Sequence, residues 1–214
     1  MTNMKLLAAT SKTRRYRQGA RAQAAEATGR AIVQAFIGRL MEQWYDEITL
    51  DRVARDAGVT VQTVVRRFGG KEGLLGEAVK VLTVQIEARR AAPGGDLGRL
   101  VDNLIEDYEQ TGDAVIRLLA LEPRHKALGV FLNYGRARHR AWAAGLAEQD
   151  LRGLDGAARE RALDALVLVT DVYTWKLLRR DMGRSVSAAA AMMKRLIRAT
   201  LGEFSRTNGT GEGR

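Results

Sequence analysis

Two short apolar faces separated by one glycine constrain this chain more than any other feature. Leu50, Val53, Ala54 and Ala57 recur at i, i+3, i+4, i+7, the spacing of one buried helix face. Thr49 stands just before the run, where a side-chain hydroxyl accepts from orphan backbone N–H groups. Gly58 follows at once, and glycine enters left-handed backbone without a Cβ penalty. Thr60 can then cap a second short helix whose apolar positions are Val61, Val64, Val65 and Phe68, again at i, i+3, i+4, i+7. The pattern predicts helix, sharp turn, helix.

The opposite face of the second helix carries the chemistry. Gln62, Thr63, Arg66 and Arg67 fall on one polar arc. Gln and Arg read base edges in the major groove, and Thr and Arg also hold phosphates. Val61 is placed to touch a thymine methyl. The spacing therefore points to a helix-turn-helix with Val61–Phe68 as recognition helix. Spacing alone also fits two packed helices with a solvated polar face.

A family resemblance separates these two possibilities. Ala57-Gly58-Val59-Thr60, Thr63-Val64, Phe68, Lys71-Glu72 and Leu74-Leu75 resemble the TetR (tetracycline-repressor) signature over about Ile32 to Val79. That pattern reads roughly A-G-V-S, T-L-Y, F, S-K-E-x-L. The chain departs from it at Val65, where the family has Tyr, and at Gly69-Gly70, which replace Pro-Ser. The resemblance implies double-stranded DNA as partner, Thr49, Thr60 and Lys71 on phosphates, a homodimer and a small-molecule effector. Lys71 lies in the first turn of the following helix, where a cation opposes the helix dipole unless a phosphate shares the site.

Composition sets the fold class. Of 214 residues only two are proline, and runs of alternating β-branched residues are absent. The expected fold is all-α, an N-terminal helix-turn-helix domain followed by a C-terminal helical ligand-binding and dimerisation domain. Residues 1–90 carry 16 basic and 9 acidic side chains, against 19 and 16 in residues 91–214. Positive charge is thus concentrated in the half that holds the helix-turn-helix, which suits a polyanion. Cysteine is absent, so disulfide and thiolate chemistry are excluded. No stretch of about 18 apolar residues exists, and the expectation is a cytoplasmic protein that meets no membrane.

Residues 1–20 hold Lys5, Lys12, Arg14, Arg15 and Arg17 and no acid. They read as a disordered basic arm, with Arg14, Arg15 and Arg17 available to DNA. The helix-turn-helix domain is expected over 21–90, connecting helix included. Its first helix is expected over Arg21–Trp44, with Ala31, Ala35, Phe36, Leu40 and Trp44 as buried stripe. Pro93-Gly94-Gly95 mark the break. A second domain is expected over 96–205, followed by a disordered tail over 206–214. Its helices are expected at Leu97–Gln110, Asp113–Leu121, Arg124–Gln149, Ala157–Asp181 and Val186–Phe204. The last two are apolar on several sides and can form a hairpin that pairs with its own copy. Leu166, Tyr173, Met193, Leu196, Ile197 and Thr200 are the candidate interface. Tyr108, Phe131, Tyr134, Trp142 and Trp175, with Asp171 interrupting an apolar run, are candidates to line a cavity for a small apolar or aromatic molecule. His125 and His139, 14 residues apart on one expected helix, cannot share a metal. No catalytic constellation or phosphate loop is present, so neither an enzyme nor a cofactor is expected. An architectural DNA binder and a protein-interaction adaptor on the same fold are the rival functions.

Overall fold

The computed structural model describes residues 3–91 and 96–209, with side chains described for 19–91 and 96–204. Among these residues the secondary structure is helical throughout. The chain divides into two compact units, Met1–Ala78 and Val79–Arg214. The division falls inside a helix, whereas the sequence suggested the break that follows it. Residues 92–95, on which that expected break falls, lie outside the described residues.

The first unit holds α1 (Asn3–Glu42), α2 (Leu50–Asp56), α3 (Val61–Phe68) and the start of α4 (Lys71–Arg90), with a 3-10 turn at Tyr45–Glu47. α1 begins eighteen residues before the expected Arg21, so most of the basic segment is helical backbone rather than a structureless arm. Ala, Leu, Lys, Arg and Gln dominate it, and all favour helix. Arg14, Arg15 and Arg17 lie outside the described side chains. Ile32, Val33, Phe36, Ile37 and Leu40 of α1 close the core with Tyr45, Ile48, Val53, Ala54, Val64, Leu74, Leu75 and Ala78. Trp44, expected in the buried stripe, is 41% exposed, because α1 stops two residues before it. Arg39 on α1 clamps Asp56 at the end of α2 with two hydrogen bonds.

The second unit holds the rest of α4 with α5 (Leu97–Leu121), α6 (Lys126–Leu146), α7 (Glu148–Leu151), α8 (Gly156–Thr170), α9 (Val172–Lys176) and α10 (Val186–Gly209). α10 packs on α8 and α5, α5 on α6 and α9, and α6 on α8. Leu104, Ile105, Leu151, Leu166, Trp175, Met193 and Ile197 are at the centre of this core.

In the second unit several helix boundaries differ from the expected ones, the expected Arg124–Gln149 helix being divided into α6 and α7 at Ala147. α5 runs unbroken through Thr111-Gly112. Gly112 is there for space: a Cβ would sit 2.4 Å from Cζ3 of Trp175. The expected Ala157–Asp181 helix is broken at Asp171, whose backbone is extended (φ −67°, ψ 155°) and whose carboxylate caps α9 by accepting from Tyr173 N–H at 2.8 Å. A π-helical turn, Leu177–Asp181, follows. The backbone of α10 continues to Gly209, into the segment expected to be a disordered tail.

Candidate nucleic-acid interface and ligand cavity

The corner between α2 and α3 is built by capping. Thr49 Oγ1 accepts from Arg52 N–H at 3.4 Å and opens α2. Gly58, at φ 66°, turns the chain. Thr60 Oγ1 accepts from Thr63 N–H at 3.2 Å and lies 3.0 Å from Thr63 Oγ1, opening α3. The hydroxyls of Thr49 and Thr60 are therefore helix caps. Thr49 Oγ1 retains a lone pair and its proton for a further partner, and Thr60 Oγ1, bonded also to Thr63 Oγ1, retains one of the two.

α3 turns Val64 into the core and leaves Gln62, Arg66 and Arg67 exposed, with Val61 and Thr63 half-buried. Val65, expected on the apolar side, is 43% exposed. At 100° per residue it lies on the flank beside Gln62, one position off the buried stripe. Arg67 lies on the other flank. Its guanidinium packs over Gly29 of α1, where a Cβ would come within 2.3 Å of Nη2. Gln62, Thr63 and Arg66 thus form the centre of the open face, and Arg67 braces α3 against α1.

α3 ends on Gly69 at φ 74°, and Gly70 at φ 135° leads into α4. Lys71, the first residue of α4, is anchored locally. Its ammonium is 4.3 Å from the Tyr45 ring centroid and donates to the Asp46 carbonyl at 3.4 Å. Partial burial lowers its pKa from the ordinary lysine value, with Asp46 opposing. The charge is thus fixed beside the N-terminus of α4 rather than left on a free side chain.

The second unit contains a mostly apolar cavity of about 630 Å³. Four of the six sequence candidates line it: Tyr108, Tyr134, Trp142 and Asp171. Trp175 is instead fully buried in the core, its indole N–H donating to Glu109 at 2.7 Å. Phe131 also falls outside the lining. α6 alternates sides at helical period, and Leu132 and Gly135 take the cavity side.

Sequence reasoning missed the polar wall. Asp107 is wholly buried on α5 and binds two consecutive arginines of α4, Arg89 Nε at 2.8 Å and Arg90 Nε at 2.7 Å. Arg90 also lies over the Tyr108 ring and meets Nδ1 of His139 at 3.5 Å. Thr170 Oγ1 donates to the Leu166 carbonyl at 2.7 Å, which leaves it to accept from His139 Nε2–H at 3.0 Å. The network assigns a neutral His139 with its proton on Nε2. Burial, with the Arg90 charge adding, pushes its pKa down to about 4. The sequence signal was present: an aspartate at helical spacing among Leu104, Ile105, Tyr108 and Thr111 requires a buried partner.

Of the six interface candidates, Leu166, Met193 and Ile197 are buried in the core of their own chain. Tyr173 and Leu196 are exposed and Thr200 is half-buried. The exposed large apolar residues on α8 and α10 are Leu168, Val186, Met192 and Leu196, of which only Leu196 belongs to the expected set. Among the described residues no group of His, Asp or Glu side chains could hold a metal, and no helix is long and apolar enough to cross a membrane.

Residues 40–78 match the family described as bacterial regulatory proteins, tetR family. The HTH-type transcriptional regulator BetI 2 of Chromohalobacter salexigens is 27% identical over 151 residues, 65% of this chain and 72% of that protein. A transcriptional regulator from Rhodococcus sp. Rha1 superposes with TM-score 0.65 at 14% identity, over 82% of this chain and 96% of that one. A second Rhodococcus protein, assigned to the TetR family, gives TM-score 0.63 at 18% identity over 81% and 98%. At these identities the structural likenesses bear on the fold. The family match falls on α2, α3 and the start of α4, where the capped corner and the open face of α3 lie. Over residues 40–78 this chain is therefore similar to the tetR family of bacterial regulatory proteins, and its fold is that of the solved transcriptional regulators.

Proposed function

We propose that the protein is a ligand-responsive repressor that binds a palindromic operator as a homodimer. The observation that carries this is the open face of α3, where Gln62, Thr63 and Arg66 project from a capped helix inside the family match. Gln62 and Arg66 read base edges, and Val61 and the exposed Val65 supply apolar contacts to thymine methyls. Thr49, Thr60 and Lys71 hold phosphates, with Arg14, Arg15 and Arg17 adding contacts from the basic N-terminal segment. Arg67 serves mainly to position α3.

The homodimer is supported by Leu168, Met192 and Leu196, exposed apolar residues on two helices that pack on each other. The effector reading is supported by the cavity volume, which lies in the range of small-molecule sites. α4 carries Lys71 at its start and Arg90, a cavity-lining residue, at its end. An effector that binds one setting of α4 better than another shifts operator affinity by that difference, typically about 1–3 kcal/mol.

Arg66→Ala tests the assignment of the reading face. It is expected to cost about 1–3 kcal/mol at the operator and to relax base preference there, with a smaller loss on random duplex. Equal loss on both DNAs, by fluorescence anisotropy at one salt concentration, would reduce Arg66 to a phosphate contact.

A further inference from the structure

Most charges on the cavity wall are already answered. Arg90 is paired with Asp107, Arg136 with Glu122, and Arg138 with Glu87. Asp171 differs. It lines the cavity and makes no ion pair among the described residues. One carboxylate oxygen, Oδ1, accepts from Tyr173 N–H to cap α9, and Oδ2 has no hydrogen-bond donor among the described residues. Arg136 acts on it only at longer range, because its guanidinium is committed to Glu122 and Asn133.

The backbone around Asp171 sets the end of one helix against the start of the next. Asp171 stands where α8 ends, and the C-terminal end of a helix carries the negative end of its dipole. The same residue opens α9, where its Oδ1 accepts from a backbone N–H. Tyr134 and Tyr173, both about half exposed, line the same cavity, and their ring faces attract cations. The remaining wall is largely aliphatic, with Ile86, Leu100, Val115 and Leu132 among its residues.

We propose that the cavity takes a small molecule with an apolar body and one protonated amine, whose ammonium donates to the free carboxylate oxygen of Asp171. This rests on the reading of the cavity as the effector site. It adds the ligand's charge and the residue that selects it. An anionic head would be repelled by Asp171, with Arg136 attenuating this only at longer range, and a neutral hydroxyl would donate one hydrogen bond without the charge.

The test compares three soluble eight-carbon probes, octylamine, octan-1-ol and octanoate. Binding to the full-length protein is measured by calorimetry, and release of a selection-enriched duplex by anisotropy. Asp171→Asn is the informative variant, because asparagine caps a helix as well as aspartate while removing the charge. The wild-type protein is expected to bind octylamine about tenfold or more tighter than octan-1-ol, and octanoate most weakly. In Asp171→Asn the advantage of the amine disappears and octan-1-ol binds as before, which also reports an intact cavity. An unchanged amine-to-alcohol ratio in the variant, or octanoate as the tightest probe, overturns the proposal. If octan-1-ol or octanoate then still releases DNA, the effector reading survives without it. Failure of all three to bind overturns both.

Discussion

At the scale of single residues, chemistry here is decided by what each side chain already holds. Arg66 and Arg67 are neighbours of identical type, yet Arg66 faces outward while Arg67 is packed on Gly29. Sequence spacing placed both on the reading arc, because a 100° period separates faces but not the flanks of one face. His139 shows the same principle in its titration. Folded, it takes a proton only near pH 4, whereas in the unfolded chain it does so near its ordinary 6.5. Between those values the unfolded state holds more protons, so the stability that His139 contributes is present above pH 6.5 and is lost as pH falls toward 4. The loss is on the order of 3 kcal/mol at its full extent. Urea midpoints measured between about pH 7 and pH 5 should fall for the wild type and fall less for His139→Gln. Equal slopes for the two proteins would show that His139 is not held neutral.

At the scale of elements, much was legible. The two caps of the helix-turn-helix, Thr49 and Thr60, act as the sequence predicted, and α3 and α4 have the expected bounds. The failures share a cause. Gly112 read as a break, but it lies mid-helix because the Trp175 ring needs its space. Such a partner is sixty-three positions away and invisible to a local pattern. Met193 and Ile197 read as interface because α10 is apolar on more than one side, and sequence does not say which side meets its own core. Asp171 looked like an interruption within one helix, and it is the cap between two. Gly112→Ala pushes a methyl into the Trp175 ring. It should destabilise the second unit by about 1–3 kcal/mol through overpacking. Denaturant unfolding followed by tryptophan fluorescence reads this. An unchanged midpoint would mean that the α5–α9 contact yields without cost.

In the whole molecule, α4 carries Lys71 at one end and the cavity residue Arg90 at the other, and the proposed operator binding requires two copies of the chain. Leu196 is the residue of the proposed interface that sequence and structure both nominate. Leu196→Glu adds a charge to an exposed position and leaves the core untouched. It should produce a folded monomer by analytical ultracentrifugation, with operator affinity reduced by about tenfold or more, because each half-site then binds alone. A dimer that persists in this variant would place the interface elsewhere. Sequence-specific binding to a palindrome is read out by selection. The purified protein is incubated with random duplexes across a salt series, and the retained fraction is sequenced. The expected result is a palindromic site with half-sites about one helical turn or more apart, enriched even at salt concentrations that abolish binding to bulk DNA. Salt-steep retention with no enriched sequence, or no retention at low salt, would contradict it.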